Sequence, residues 1–209
     1  SDVSEPISFL TDSWETIVNA VKNNNTDMYN LCDEKEIDMG DLGTHTVRIS
    51  NKTTLDECNT DVFSQTACGF AIEFKDVVTE YNLTSTNTST EGWPSSDMGK
   101  YINTIIYDAL PENIKSKIID MIVVSGRDTK SGANFTTTDK LYLLDILEVY
   151  VVNEYIFHTA KSNERQLNYY AGKCTSVEKC SSAIKKYNGV DTFFSGCVHL
   201  LILKIIFTL

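Results

Sequence analysis

Cysteine pairs and a scatter of aromatic and oxygen-bearing side chains are the groups of this chain with chemistry to offer. Cys58 and Cys68 bracket the polar segment 59–67, short enough for a disulfide worth roughly 2–3 kcal/mol in an oxidising compartment. Two unrelated buried thiols are the alternative. Cys174 and Cys180 can pair likewise, on weaker grounds. Zinc wants Cys-x2-Cys or His-containing spacings, and of His45, His158 and His199 only His199 lies near a cysteine, Cys197. No metal and no cofactor is expected.

The segment 128–139 carries Asp128, Asn134 and Asp139, oxygen ligands of the type calcium uses, without the alternating spacing of a calcium loop. A turn-rich loop bonding its own backbone is the plainer reading. Trp93 offers an indole face on which a sugar could stack, or else closes the core ahead of a helix. Trp93, Asp128, Asn134 and Asp139 are the candidate binding residues. Adjacent carboxylates such as Asp33–Glu34 and Asp56–Glu57 read as solvated surface charge, and no catalytic fingerprint for a hydrolase, nucleotide binder or metalloprotease occurs. No catalytic residue is assigned.

With 29 acidic against 18 basic residues the formal charge is −11, which repels phosphate backbones and anionic lipid. Nucleic acid is excluded as a partner. The longest apolar run, 197–209, is too short for the ~18–20 residues of a spanning helix and contains Lys204, so no membrane insertion is expected. A start at Ser1 without Met or signal segment reads as a mature or excised piece of a longer protein.

The elements that must position these groups follow from pattern. Asp12 and Glu15 form an Asp-x-x-Glu capping signature ahead of Trp14, Ile17, Val18 and Val21, predicting a helix that ends at Asn23 and makes 1–30 a flanking helix and linker. Segments 36–39 and 44–50 flank Gly40-Asp41-Leu42-Gly43 as a hairpin, and 69–74 follows as a strand. Ser95 or Ser96 caps a helix with Met98, Tyr101, Ile102, Ile105 and Ile106 on its core face, and Pro111 opens another through Ile114 and Ile118. Strands are expected at 119–124 and 140–144, separated by a polar loop, with helices at 163–170 and 179–187. Strands and helices segregate, so the class is α+β.

Three blocks carry a family resemblance. They are Cys58 with Ala67-Cys68-Gly69-Phe70; Gly92-Trp93-Pro94-Ser95-Ser96-Asp97-Met98-x-x-Tyr101-Ile102-Asn103; and Asn134-Phe135-Thr136-Thr137-Thr138-Asp139-Lys140-Leu141-Tyr142-Leu143-Leu144-Asp145. The chain resembles an uncharacterised domain family of Gram-positive bacterial surface proteins, over roughly 36–189. The resemblance implies a C-type-lectin-like mixed sheet with packed helices, similar to formylglycine-generating-enzyme relatives, and further supports the Cys58–Cys68 bond. It also implies a C-terminal Trp-Leu-Arg-Ser-Pro motif and closing strands, both absent here. Residues 195–209 read instead as an anomalous hydrophobic tail of a frameshifted or truncated copy: one permissible choice of codons for 195–200, TCT-GGC-TGC-GTT-CAC-CTT, spells Trp-Leu-Arg-Ser-Pro when read from the third base. A genuine hydrophobic strand or helix is the alternative.

The resulting expectation is a non-enzymatic, secreted or surface-displayed binding module, part of a larger protein, with an extracellular glycan or protein as ligand. A spacer domain of an adhesin is the runner-up, followed by a degraded copy without function and an enzyme related to formylglycine generation.

Overall fold

The computed structural model describes residues 4–83, 85, 92–126, 133–151, 160, 164–175, 180–192 and 201–203, the last three and 190–192 as backbone only. Helix α1, Trp14–Lys22, starts one residue later than its capping signature suggests. Ser13 is the cap, its hydroxyl accepting from Thr16 N at 3.1 Å. Asp12 is claimed by a longer-range partner, the buried Tyr29, whose hydroxyl donates to it at 2.7 Å. The helix is no mere flank: Phe9, Trp14, Ile17 and Val18 share one core with Phe70, Ile72 and Phe74.

Strands β1, Glu34–Asp38, and β2, Thr44–Asn51, form the expected antiparallel hairpin, with Gly40 and Gly43 at positive φ in its loop. β3, Ala71–Phe74, pairs with β2. The sheet runs β1-β2-β3-β9-β6, where β9 is Leu201–Leu203 and β6 is Leu141–Leu143. The tail therefore supplies the closing strand whose absence was expected, hydrogen-bonded to β3 on one side and β6 on the other. Every pairing among the described residues is antiparallel, where a mixed sheet was expected.

Ser96 caps α2, Asp97–Tyr101, through Gly99 N at 2.9 Å. The chain continues as a π-helical turn, Ile102–Ile106, then α3, Tyr107–Ala109, and α4, Glu112–Lys115. The wider i→i+5 turn changes which residues face inward. Met98, Ile102 and Ile106 are buried, but Ile105, expected in the core, is 53% exposed.

β4, Met121–Ser125, pairs with β5, Phe135–Asp139, which lies in the segment expected to be loop. Its Thr136-Thr137-Thr138 run is β-branched and suits a half-exposed strand. The chain changes sheet at Lys140, and Asn103 bonds that corner: its Oδ1 accepts from Lys140 N and Leu141 N, while its Nδ2 donates to Leu141 O and Gly99 O. α5 is Ile146–Val149.

Neither late helix forms in the described residues. Residues 168–173 are turns, and a two-stranded hairpin, β7, Lys185–Tyr187, and β8, Val190–Thr192, replaces the second. Asn188 and Gly189 both take positive φ between these strands, as a tight hairpin turn requires.

Candidate functional site

Trp93 and Asp139 come together across the fold. The indole Nε1 donates to Asp139 Oδ2 at 2.9 Å, and the Thr137 hydroxyl donates to the same oxygen at 2.6 Å. Tyr142 meets the indole edge-on, with centroids 5.0 Å apart. Gly92 makes this geometry possible: it has φ +54°, and a Cβ there would stand 2.5 Å from the Phe135 ring. Trp93 is half-buried and packs beside Met121 and Val123, so its polar edge is committed inside the protein. Asn134 is half-buried just ahead of β5, and Asp128 lies outside the described residues.

A second aromatic feature, exposed on one side only, was not expected. Tyr81 stacks face to face on Tyr101, centroids 4.0 Å apart and planes 5° from parallel. Tyr81, Leu83 and Ile105 are 44%, 43% and 53% exposed, while Tyr101 is half-buried against the core, so the ring of Tyr81 is the exposed member of the stack. The segment carrying Tyr81 is fixed to α2 twice: Met98 N donates to Leu83 O at 3.2 Å, and Ser85 N donates to the Asp97 carboxylate. The Ser85 hydrogen bonds hold that carboxyl below its usual pKa. Such a plate can stack against the flat apolar face of a sugar ring or a side chain.

Two buried charge networks escaped the sequence reading altogether. Glu73 on β3 is fully buried and accepts from Arg48 Nε on β2 at 2.9 Å, Lys185 Nζ on β7 at 3.0 Å and the Tyr170 hydroxyl at 3.0 Å. The Arg48 guanidinium also lies 3.8 Å from the centroid of the Tyr169 ring. Burial alone would raise the Glu73 pKa, but Lys185 and Arg48 outweigh it and hold the carboxyl below its usual range. Burial pushes the Lys185 amine down to about 8, with Glu73 offsetting part of that.

Glu148 on α5 is equally buried and takes Arg165 Nε at 2.7 Å together with the Thr66 hydroxyl. Its other oxygen accepts from Asp145 N, closing a capping box. Here burial raises the carboxyl pKa and outweighs the opposing pull of Arg165, and the negative charge of Asp145, 3.8 Å from Arg165 Nη2, raises it further. These acids are shut away from solvent. They are built to hold segments together.

Cys58 and Cys68 are disulfide-bonded, as are Cys174 and Cys180, while Cys32 is an exposed thiol. Among the described residues, no three His, Cys, Asp or Glu side chains cluster as a metal site, and no helix is long and apolar enough to cross a membrane.

The fold and these sites define a disulfide-bonded α+β domain. Residues 70–189, more than half of the chain, match the family described as Domain of unknown function (DUF6273), and the chain belongs to it. No curated protein matches the chain, and no solved structure does.

Proposed function

We propose that this domain is a non-enzymatic binding module whose ligand, a neutral glycan, stacks on the Tyr81–Tyr101 plate. The observation that carries this reading is the exposed Tyr81 ring, backed in parallel by the half-buried Tyr101 and held in place by two contacts to α2. Globular proteins gain little from leaving a rigid aromatic plate in water beside exposed leucine and isoleucine, whereas a saccharide ring finds there the flat apolar face it stacks on. The net charge of −11 disfavours anionic ligands and leaves uncharged ones. Glu73 and Glu148, the acids with perturbed pKa and no solvent access, are engaged in holding the fold, which supports a role without catalysis.

Two disulfides fit an oxidising compartment, and the sequence blocks that resemble Gram-positive surface proteins support display on such a surface as part of a larger protein. A C-type-lectin-like ancestry belongs to the same reading. The test is a glycan array with the wild type and with Tyr81→Ala and Tyr101→Ala. Binding of a neutral glycan by the wild type, lost in both variants while their melting stays cooperative, is expected. Retained binding in the variants, or no glycan bound at all, contradicts the proposal, and the second result favours a spacer role.

A further inference from the structure

Tyr170 and Lys185 grip the same carboxylate from opposite sides of a disulfide. Tyr170 precedes Cys174, Lys185 follows Cys180, and both donate to Glu73 Oε2 at 3.0 Å. The Tyr170 side is well anchored: Cys174 N donates to Tyr170 O at 3.0 Å, and Gln166 Nε2 bridges Val149 O and Cys174 O, each at 2.9 Å. Cys174 itself is fully buried. The Lys185 side runs from Cys180 through the short turn Ser181–Ala183, with Ala183 N bonded to Cys180 O at 3.2 Å and Ala183 buried beside Cys174 and Tyr170.

Beyond that turn, Val77 N donates to Lys186 O, Lys186 N donates to Asp76 Oδ1, and Lys185 Nζ donates to Phe74 O as well as to Glu73. A buried ammonium on a flexible stem gains solvation whenever it can leave. The depressed basicity of Lys185 records that pull. The covalent tether opposes it by shortening the chain between the anchored side and the hairpin.

The other disulfide is placed differently. Asn51 Nδ2 donates to Ala67 O at 3.1 Å, Gly69 O at 2.8 Å and Thr53 O at 2.8 Å. Those bonds hold the backbone around Cys68 whether or not the sulfurs are joined.

We propose that the Cys174–Cys180 disulfide is a redox-controlled latch that keeps Lys185 docked on Glu73. A dithiol reductant supplies two electrons and two protons: the S–S bond breaks, each sulfur leaves as a thiol, and the reductant closes to its own disulfide. The β7–β8 hairpin then withdraws Lys185 from the carboxylate, while β1, β2, β3 and the backbone around Cys68 stay in place.

The test is peptide-level mass spectrometry of lysine acylation on the folded protein. In Cys174→Ser/Cys180→Ser, acylation of Lys185 should rise on the order of tenfold or more over the wild type, while amide exchange in β2 and β3 remains slow. Cys58→Ser/Cys68→Ser should leave Lys185 as protected as before. Equal protection of Lys185 in both double variants overturns the latch. Should the first variant not fold, a dithiol pulse on the wild type with alkylation of released thiols gives the same decision. Lys185 labelled on molecules alkylated at Cys174 and Cys180 with the sheet still protected supports the latch, and labelling only after β2 and β3 exchange overturns it.

Discussion

Glu73 and Glu148 are both fully buried, and each is held by an arginine from a distant part of the chain, yet their carboxyl groups are driven in opposite directions. Desolvation acts on both, so burial does not explain the difference. Glu73 is faced by two cations, Arg48 and Lys185, whereas Glu148 shares one, Arg165, with a second carboxylate, Asp145. The ratio of cations to anions inside the pocket decides the sign. It also assigns different tasks: Glu73 collects β2, the 168–173 turns and the β7–β8 hairpin onto the sheet, while Glu148 ties the start of α5 to Thr66 and Arg165. In each network one partner, Arg48 or Thr66, precedes the family match at residue 70. The matched region is thereby bonded to what comes before it.

The sharpest way to break the comparison is to neutralise each acid in turn. Glu73→Gln leaves two buried cations without their counter-charge and should cost about 3–5 kcal/mol in urea unfolding. Next comes Lys185, whose folded pKa of about 8 lies below its unfolded value. The unfolded chain binds more protons between those values, so stability rises with pH across that window. Relative to Lys185→Met, the wild type should gain roughly 2 kcal/mol between pH 7.5 and 9.5; parallel pH profiles would contradict the lowered basicity of the amine.

Glu148→Gln should cost less, about 1–2 kcal/mol, because the amide oxygen still accepts a hydrogen bond and Asp145 remains to balance Arg165. A penalty equal to that of Glu73→Gln would remove the distinction between the networks. The smallest effect belongs outside both. Ile105→Asp should change stability by no more than about 0.5 kcal/mol, since Ile105 faces solvent from the π-helical turn.

The β1–β2 hairpin, the Ser96 cap and the Cys58–Cys68 pair were legible because each rests on a local rule: glycines in a tight loop, a serine ahead of an apolar stripe, two cysteines across a polar segment. The networks were not, because the partners of Glu73 lie as far as Tyr170 and Lys185, and nothing in Ala71-Ile72-Glu73-Phe74 distinguishes a buried acid from an outward one. Ile105 was misplaced because a π-turn leaves the apolar pattern of an ordinary helix intact. Asn188-Gly189 did signal the β7–β8 hairpin, and the helical reading of 179–187 passed over it. The Tyr81–Tyr101 stack joins a loop to a helix and leaves no mark on local spacing.

Two glutamates of equal burial are driven in opposite directions, and a carboxyl-carbon NMR titration of the folded protein, with Glu73→Gln and Glu148→Gln for assignment, tests this directly. Glu73 should stay ionised as the pH falls past the ordinary glutamate range, so its contribution to stability is complete above that range and lost only as pH drops through the lowered value. Glu148 should take its proton above that range, so its contribution is complete at low pH and declines as pH rises through the raised value. Two midpoints on opposite sides of the ordinary value are the predicted result. Coincident midpoints, or Glu148 titrating below Glu73, would contradict the claim that the balance of charges around each acid sets its state.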